Sequence, residues 1–184
     1  MAEIRTILVP QNRRSPLKDS WKTIAEILTK QLKLMVCVKT SKRHWKVMLR
    51  TSPETTDAQH LHKGVDFVSA FIKGFTVQDA LAIVRIDGIY VESFHISDVR
   101  QRLRGDHMAR AVGRICGANG RVRLSIENAT RTRIVVADQT IHILGSNERI
   151  AVARKAICNL IIGSPPNKIF GRVQNQAARL DSTF

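Results

Sequence analysis

The chain has 184 residues, 43% of them hydrophobic, with 30 Lys and Arg against 15 Asp and Glu, a formal net charge of +15. The apolar content is enough for one ordinary domain or two small ones and excludes a disordered tail, while the charge asks for a polyanionic partner, nucleic acid ahead of acidic protein or lipid. Cys37, Cys116 and Cys158 lie far apart without a CxxC or a neighbouring histidine, no apolar run nears the ~18 residues of a membrane span, and Met1-Ala2-Glu3-Ile4-Arg5 is not a signal peptide, so we expect neither a zinc site, a disulfide framework nor a membrane partner, and a soluble protein of a reducing intracellular compartment.

In chain order, Ile4 to Val9 reads as a strand closed by Pro10. Ser15-Pro16 offers an N-cap and a proline at the first helical position, and Trp21, Ile24, Ala25, Leu28 and Leu32 recur at helical spacing, which predicts a helix from about Pro16 to Lys33. Leu34 to Thr40 and His44 to Arg50 alternate as strands of a hairpin, the second placing Trp45, Val47 and Leu49 on one face. Leu61, Val65, Val68 and Ile72 mark a helix ending near Gly74, and Thr76-Val77-Gln78-Asp79 starts a short one through Val84. Asp87-Gly88 closes this half.

The second half opens with a strand, Ile89 to Ile96, and a basic stretch leads to Gly105-Asp106, where Asp106 can N-cap a helix. In that helix Met108, Val112 and Ile115 face inward, and Arg110 and Arg114 share an outer face. Gly117-Ala118-Asn119-Gly120 interrupts it, and Val122, Ile126 and Ala129 then repeat the inward pattern, with Arg121 and Arg123 near the new helix's start. Arg133 to Ala137 and Thr140 to Leu144 are strands about a tight turn at Asp138-Gln139, and Asn147 can cap a helix bearing Ile150, Ala153, Ile157, Leu160 and Ile161. Gly163-Ser164-Pro165-Pro166 stops that helix and leaves a basic tail, helical or ordered only on binding. The expected organisation is a first domain over 1–87, a second over 88–164 and a C-terminal tail over 165–184.

The charge is blocked along the chain: +9 over residues 1–50, −4 over 51–99, +7 over 100–133 and +3 over 134–184. Every basic residue of the third block is arginine, the side chain suited to bidentate phosphate contacts, although for any one of them a solvated basic face is an equal reading.

Gly117 and Gly120 are the only glycines three residues apart, and the order helix, GxxG, helix, strand is how a KH domain grips single-stranded nucleic acid. Glycine lets the backbone approach phosphates, and the next helix offers them its N-terminal N–H groups and positive dipole end, each such contact contributing roughly 0.3–1 kcal/mol. The second half therefore runs β-α-α-β-β-α. The first runs β-α-β-β-α-α and reads as a degenerate copy, without a GxxG loop because residues 1–63 contain no glycine, hence a protein-docking or scaffold unit whose +9 N-terminal block can still touch RNA backbone. We expect an α+β chain of two tandem KH-like (type I) domains. Candidate RNA contacts are the loop residues Gly117, Ala118, Asn119 and Gly120 with Arg110, Arg114, Arg121, Arg123, Arg131 and Arg133. Val112, Ile115 and Ile126 admit two readings, an apolar base platform or core, and helical spacing favours core.

The stretch Gly113-Arg114-Ile115-Cys116-Gly117-Ala118-Asn119-Gly120, the run Ile126 to Asp138, and the patches Asp66 to Phe75, Val91 to Val99 and Ala156 to Pro166 resemble the KH-domain small-subunit ribosome-assembly factors that partner the Nob endonuclease, the Pno/Dim family. The resemblance spans nearly the whole chain. It implies a factor that binds precursor small-subunit rRNA near its 3′ end and contacts the Nob endonuclease and the pre-small-subunit particle with its assembly factors, arriving in the nucleus and nucleolus and leaving in the cytoplasm. The family loop is Gly-Lys-Gly-Gly, whereas here Ala118 stands for the lysine and Asn119 for the middle glycine. A protein scaffold with an idle loop is the alternative.

Nothing in the sequence assembles a catalytic constellation or a cofactor site. His60 and His62 have poor metal spacing on a helix, His95, Asp98, Asp106 and His107 lack a nucleophile, no Walker loop is present, and Glu127 reads as a structural ion pair or helix contact. We expect no enzyme activity and no cofactor.

Overall fold

The computed structural model describes residues 3–55, 57, 59–101 and 105–182; the chain's first two residues, the middle of the basic stretch before Gly105 and the last two residues of the expected tail lie outside the described residues. The chain forms two compact units, Met1–Asp87 and Gly88–Phe184.

In the first unit, strand β1 (Ile4–Val9) leads through a 3-10 turn (Gln11–Arg13) into helix α1 (Arg14–Lys30), followed by the hairpin β2 (Leu34–Thr40) and β3 (Trp45–Thr51) and helices α2 (Gln59–Lys73) and α3 (Val77–Arg85). The sheet is antiparallel in the order β1-β3-β2, with Ile7 opposite Val47 and Val36 opposite Leu49. Leu17, Ile24, Leu28, Val47, Leu49, Phe67 and Phe71 are buried between helices and sheet. Ser15 does not cap α1: the 3-10 turn precedes it, so helical backbone is already established at Arg14. Thr76 does cap α3, its hydroxyl accepting from the Asp79 N–H at 3.1 Å. One unbroken helix, α1, stands between the first two strands, and no loop divides it.

The second unit has the same strand order with different helices. It runs β4 (Ile89–His95), a single turn α4 (Ile96–Val99), α5 (Asp106–Cys116), a 3-10 turn (Ala118–Gly120), α6 (Arg121–Thr130), β5 (Arg133–Ala137), β6 (Thr140–Ser146), α7 (Asn147–Ile162) and α8 (Pro166–Asp181). Its antiparallel sheet is β4-β6-β5, first, third and second strands as in the first unit, so β5 is an edge. The core joins Phe94, Ile96, Ile115, Ile126, Ile134, Ile141, Ile143, Ile157 and Leu160. Ile115 and Ile126 are therefore core, and Val112 is half-buried against it.

One further expectation needs correction, and two further segments take a definite form. Gly105 and Ser146, rather than Asp106 and Asn147, occupy the N-cap positions of α5 and α7, because Asp106 and Asn147 are themselves the first helical residues. His95 and Asp98 form a capping box for α4, the Asp98 carboxylate accepting from the His95 N–H at 2.9 Å. The C-terminal segment is helix α8, with Pro166 at its first position and Ile169, Val173 and Ala177 buried at four-residue spacing. Ile169 and Val173 belong to the second unit's core, so the segment is part of that unit.

Candidate nucleic-acid interface

The GxxG turn is built by backbone geometry that the sequence around it requires. Gly117 ends α5 at φ 69°, ψ −179°, a region open essentially to glycine alone, and a Cβ there would lie 2.3 Å from Val122 Cγ2. Asn119 (φ 53°, ψ 27°) and Gly120 (φ 74°, ψ 10°) are left-handed, a conformation asparagine tolerates better than most side chains, so the turn keeps its shape without the middle glycine. The Gly117 N–H donates to Gly113 O at 2.8 Å and the Gly120 N–H to Gly117 O at 3.2 Å. No side chain caps the start of α6 and no acidic residue sits in its first turn, which leaves its positive end facing outward beside the exposed Ala118 and Asn119. On α5, a Cβ on the exposed Gly113 would meet nothing within 4 Å, so the helix is open along the face leading to the turn.

The candidate arginines divide by what they touch. Arg110 on α5 and Arg121 at the start of α6 are exposed. Arg114 instead turns inward, its Nε donating to Leu160 O at 2.9 Å and its guanidinium to Ile161 O at 3.0 Å, and so holds carbonyls of the last turn of α7, where Leu160 O also accepts from the Gly163 N–H at 3.1 Å. The expected outer face shared by Arg110 and Arg114 is thus not formed. Arg123 crosses from α6 to the edge strand, donating to Ile134 O at 2.9 Å with the Glu127 carboxylate 3.8 Å away. Arg131, left-handed at φ 51° at the end of α6, pairs with Asp181 of α8 at 3.0 Å, and Arg149 holds the other oxygen of that carboxylate at 2.6 Å. Arg133 is exposed at the start of β5 and has an interaction within the chain. The loop residues, Arg121 and Arg123 come together at one end of the unit, whereas Arg114 and Arg131 brace helix ends.

Glu127 is 4% exposed and its Oε1 accepts from the Ile134 N–H at 2.7 Å. Edge-strand backbone at Ile134 is therefore satisfied on both sides by α6, N–H by Glu127 and C=O by Arg123, which fixes the spacing between α6 and β5. Leu124, 44% exposed on α6 one turn past the loop, was not singled out by the inward pattern of Val122, Ile126 and Ala129; an apolar residue outside that pattern is the signal that identifies it. Among the described residues no group of three or more His, Cys, Asp or Glu could hold a metal ion, and no helix is long and apolar enough to cross a membrane.

Comparison with known proteins agrees with this architecture. Residues 93–178 match the eukaryotic type KH-domain (KH-domain type I) of the second PNO1 domain, and residues 5–85 match the Krr1 KH1 domain. The chain is 49% identical to "RNA-binding protein pno1" of Drosophila pseudoobscura pseudoobscura over 97% of its own length and 74% of that protein's. It is 50% identical to "Pre-rRNA-processing protein pno1" of Aspergillus oryzae, over 99% and 69%. Among solved structures, Dim2p of Pyrococcus horikoshii OT3 superposes with a TM-score of 0.81 at 24% identity over 94% of this chain and 99% of its own. A chain of an a/eIF2alpha-aDim2p-rRNA complex from the same organism does so with a TM-score of 0.81 at 24% identity over 97% and 96%. The two relatives are named for RNA binding and for pre-rRNA processing, not for a catalytic activity. The α+β chain with two type I KH-type domains belongs to the PNO1 family.

Proposed function

We propose that this protein is a non-catalytic RNA-binding factor of small-subunit ribosome biogenesis, whose second unit grips precursor rRNA near the 3′ end of the future small-subunit RNA and whose first unit docks proteins. The single observation that carries the RNA reading is the left-handed Gly117–Gly120 turn set against the uncapped positive end of α6, in a chain 50% identical to a pre-rRNA-processing protein. A strand of about four nucleotides lies along α5, the turn and the α6–β5 seam, with phosphates at the loop N–H groups and Arg110, Arg121 and Arg133 beside it. Arg123 contributes charge from the seam itself. Arg114 and Arg131 contribute indirectly, by holding α7 and α8 in place.

The partner of the first unit is the Nob endonuclease, which this factor positions or regulates within the pre-small-subunit particle among the other assembly factors. What supports a docking role is the absence of any GxxG turn in α1 together with an apolar cleft of about 250 Å³ bordered by Leu17, Trp21, Val38 and Trp45. The cycle runs from nucleus and nucleolus to a late cytoplasmic stage. The scaffold alternative is favoured by one observation, that four of the six candidate arginines, Arg114, Arg123, Arg131 and Arg133, already have partners in the chain.

The test is binding of the whole protein to a single-stranded RNA from the 3′ end of its small-subunit precursor, and to the same sequence as DNA, across a salt series. Wild type is compared with Ala118→Asp plus Asn119→Asp, which places two carboxylates on exposed positions. A loss of about tenfold, ~1.4 kcal/mol, with a shallower salt slope assigns the grip to the loop. Equal binding by both proteins makes the loop idle and moves the scaffold reading ahead.

A further inference from the structure

Helices α7 and α8 enclose a cleft of about 320 Å³, within the roughly 300–1,000 Å³ of ordinary ligand sites. Its rim carries three cations, Lys155, Arg172 and Arg179, and three carboxamides, Asn159, Asn175 and Gln176. No carboxylate lines it, and the sequence from Arg149 to Leu180 contains no Asp or Glu at all. The neighbouring cations that do find carboxylates reach elsewhere: Arg149 and Arg131 to Asp181, Arg154 to Glu92. Lys155 and Arg172 are exposed and make no ion pair among the described residues. Ile169 and Val173 anchor α8 in the core beneath, so the rim is held on two packed helices.

We infer that the α7–α8 cleft is a second RNA-backbone site, built from helices other than those that form the Gly117–Gly120 turn; this rests on the RNA-binding reading above. Cations alone would suit any polyanion. The three carboxamides narrow the choice, because each both donates and accepts: N–H to phosphate oxygen, C=O to the ribose 2′-hydroxyl, whereas a carboxylate-bearing protein segment needs donors only. Arg114 and Arg131 are engaged on a helix end and on Asp181, so a second backbone contact supplies charge that these two do not offer to the groove.

The experiment uses the full chain and two RNAs, a tetranucleotide that fills only the loop groove and a longer single strand from the precursor 3′ end. Lys155→Gln plus Arg172→Gln removes two surface charges, and Lys155→Arg plus Arg172→Lys keeps them. Each phosphate contact on a single strand contributes about fivefold at 0.1 M salt, so the Gln variant is expected to bind the longer RNA about 25-fold more weakly, with a log-log salt slope shallower by about 1.4. Its tetranucleotide affinity stays at the wild-type value, and the charge-keeping variant binds both RNAs like wild type. Unchanged affinity and slope on the longer RNA overturn the site, as does an equal loss on the tetranucleotide, which would place the effect in the loop groove. A Gln variant that keeps RNA binding but loses an acidic protein of the particle assigns the cleft to protein and also overturns it. Wild type that binds neither RNA refutes the RNA reading as a whole, a result distinct from an unaltered variant.

Discussion

Replacing Glu127 by alanine should weaken the second unit by about 2–4 kcal/mol, and the figure follows from three local losses. The Ile134 N–H, buried with its residue at 1% exposure, loses the carboxylate that it donates to at 2.7 Å, a cost of about 1–3 kcal/mol for an unsatisfied buried donor. One buried methylene is removed, about 0.8 kcal/mol. The pairing with Arg123 at 3.8 Å adds little, since that side chain is 34% exposed and solvent screens it to about 0.5 kcal/mol. Glu127→Gln keeps the acceptor oxygen and should cost only about 1 kcal/mol. Urea unfolding followed by hydrogen exchange separates the units, and with both tryptophans, Trp21 and Trp45, in the first, indole fluorescence serves as an internal control. For an m-value of about 1–3 kcal/mol per molar urea the alanine variant's second-unit midpoint should fall by about 1–2 M, with protection lost first at the Ile134 amide. A wild-type midpoint with that amide still protected would refute the idea that Glu127 ties α6 to the edge strand.

The remaining expectations concern the turn, the end of α8 and the cysteines. Gly117→Ala should cost about 1–3 kcal/mol from its backbone conformation, more because the new methyl meets Val122, and should reduce RNA affinity; an alanine variant with wild-type stability would show that the turn is not held at this φ. The Arg149 hydrogen bond, with the Arg131 charge beside it, holds the Asp181 carboxyl below its usual range against a smaller push from desolvation. A lowered folded value means the stabilisation is complete above about pH 4, where the unfolded carboxylate is ionised, and is lost as pH falls through the folded value. The thermal midpoint difference between wild type and Asp181→Asn should therefore be constant from pH 7 to about 4 and shrink below; a difference that vanishes near pH 6 would contradict the pairing. Burial pushes the half-buried Cys158 thiol up, only partly offset by Arg154, so mass spectrometry after brief iodoacetamide treatment should find the exposed Cys37 alkylated before Cys158, and the reverse order would refute it.

Periodicity made the elements legible because local apolar spacing and local burial coincide in both units. Val47 and Leu49 on one strand face, Ile24 and Leu28 on one helix face, and Ile126 after the turn all lie buried where their spacing places them. Helix α8 was only half legible: Gly163-Ser164-Pro165-Pro166 reads as an end, and the proline that ends one helix also starts the next, with Ile169, Val173 and Ala177 following at four-residue spacing. The turn was readable for a different reason, since only glycine fits Gly117 and the residue type itself records the backbone.

The arginines resisted reading because a guanidinium seeks carbonyls as readily as phosphates, and carbonyls leave no mark in the sequence. Arg110 and Arg114 are four apart on one helix, identical in type and in local spacing, yet one is exposed and the other holds Leu160 O and Ile161 O of a helix 46 and 47 residues away. The difference lies in α7, whose last-turn carbonyls Leu160 O and Ile161 O end within reach of Arg114 on α5. Net charge consequently overstates the cations offered to RNA. Arg114 and Arg131 set helix positions, and Arg123 is half committed to the α6–β5 seam. It follows that neutralising Arg110 or Arg121 should lower RNA affinity and flatten its salt dependence by about 0.7 per charge while leaving stability within ~0.5 kcal/mol, whereas neutralising Arg114 should lower stability first and affinity only as a consequence. Measuring urea midpoint and salt slope on the same three variants separates the two roles, and an Arg114→Gln protein with wild-type stability and a flattened slope would return that residue to the RNA surface.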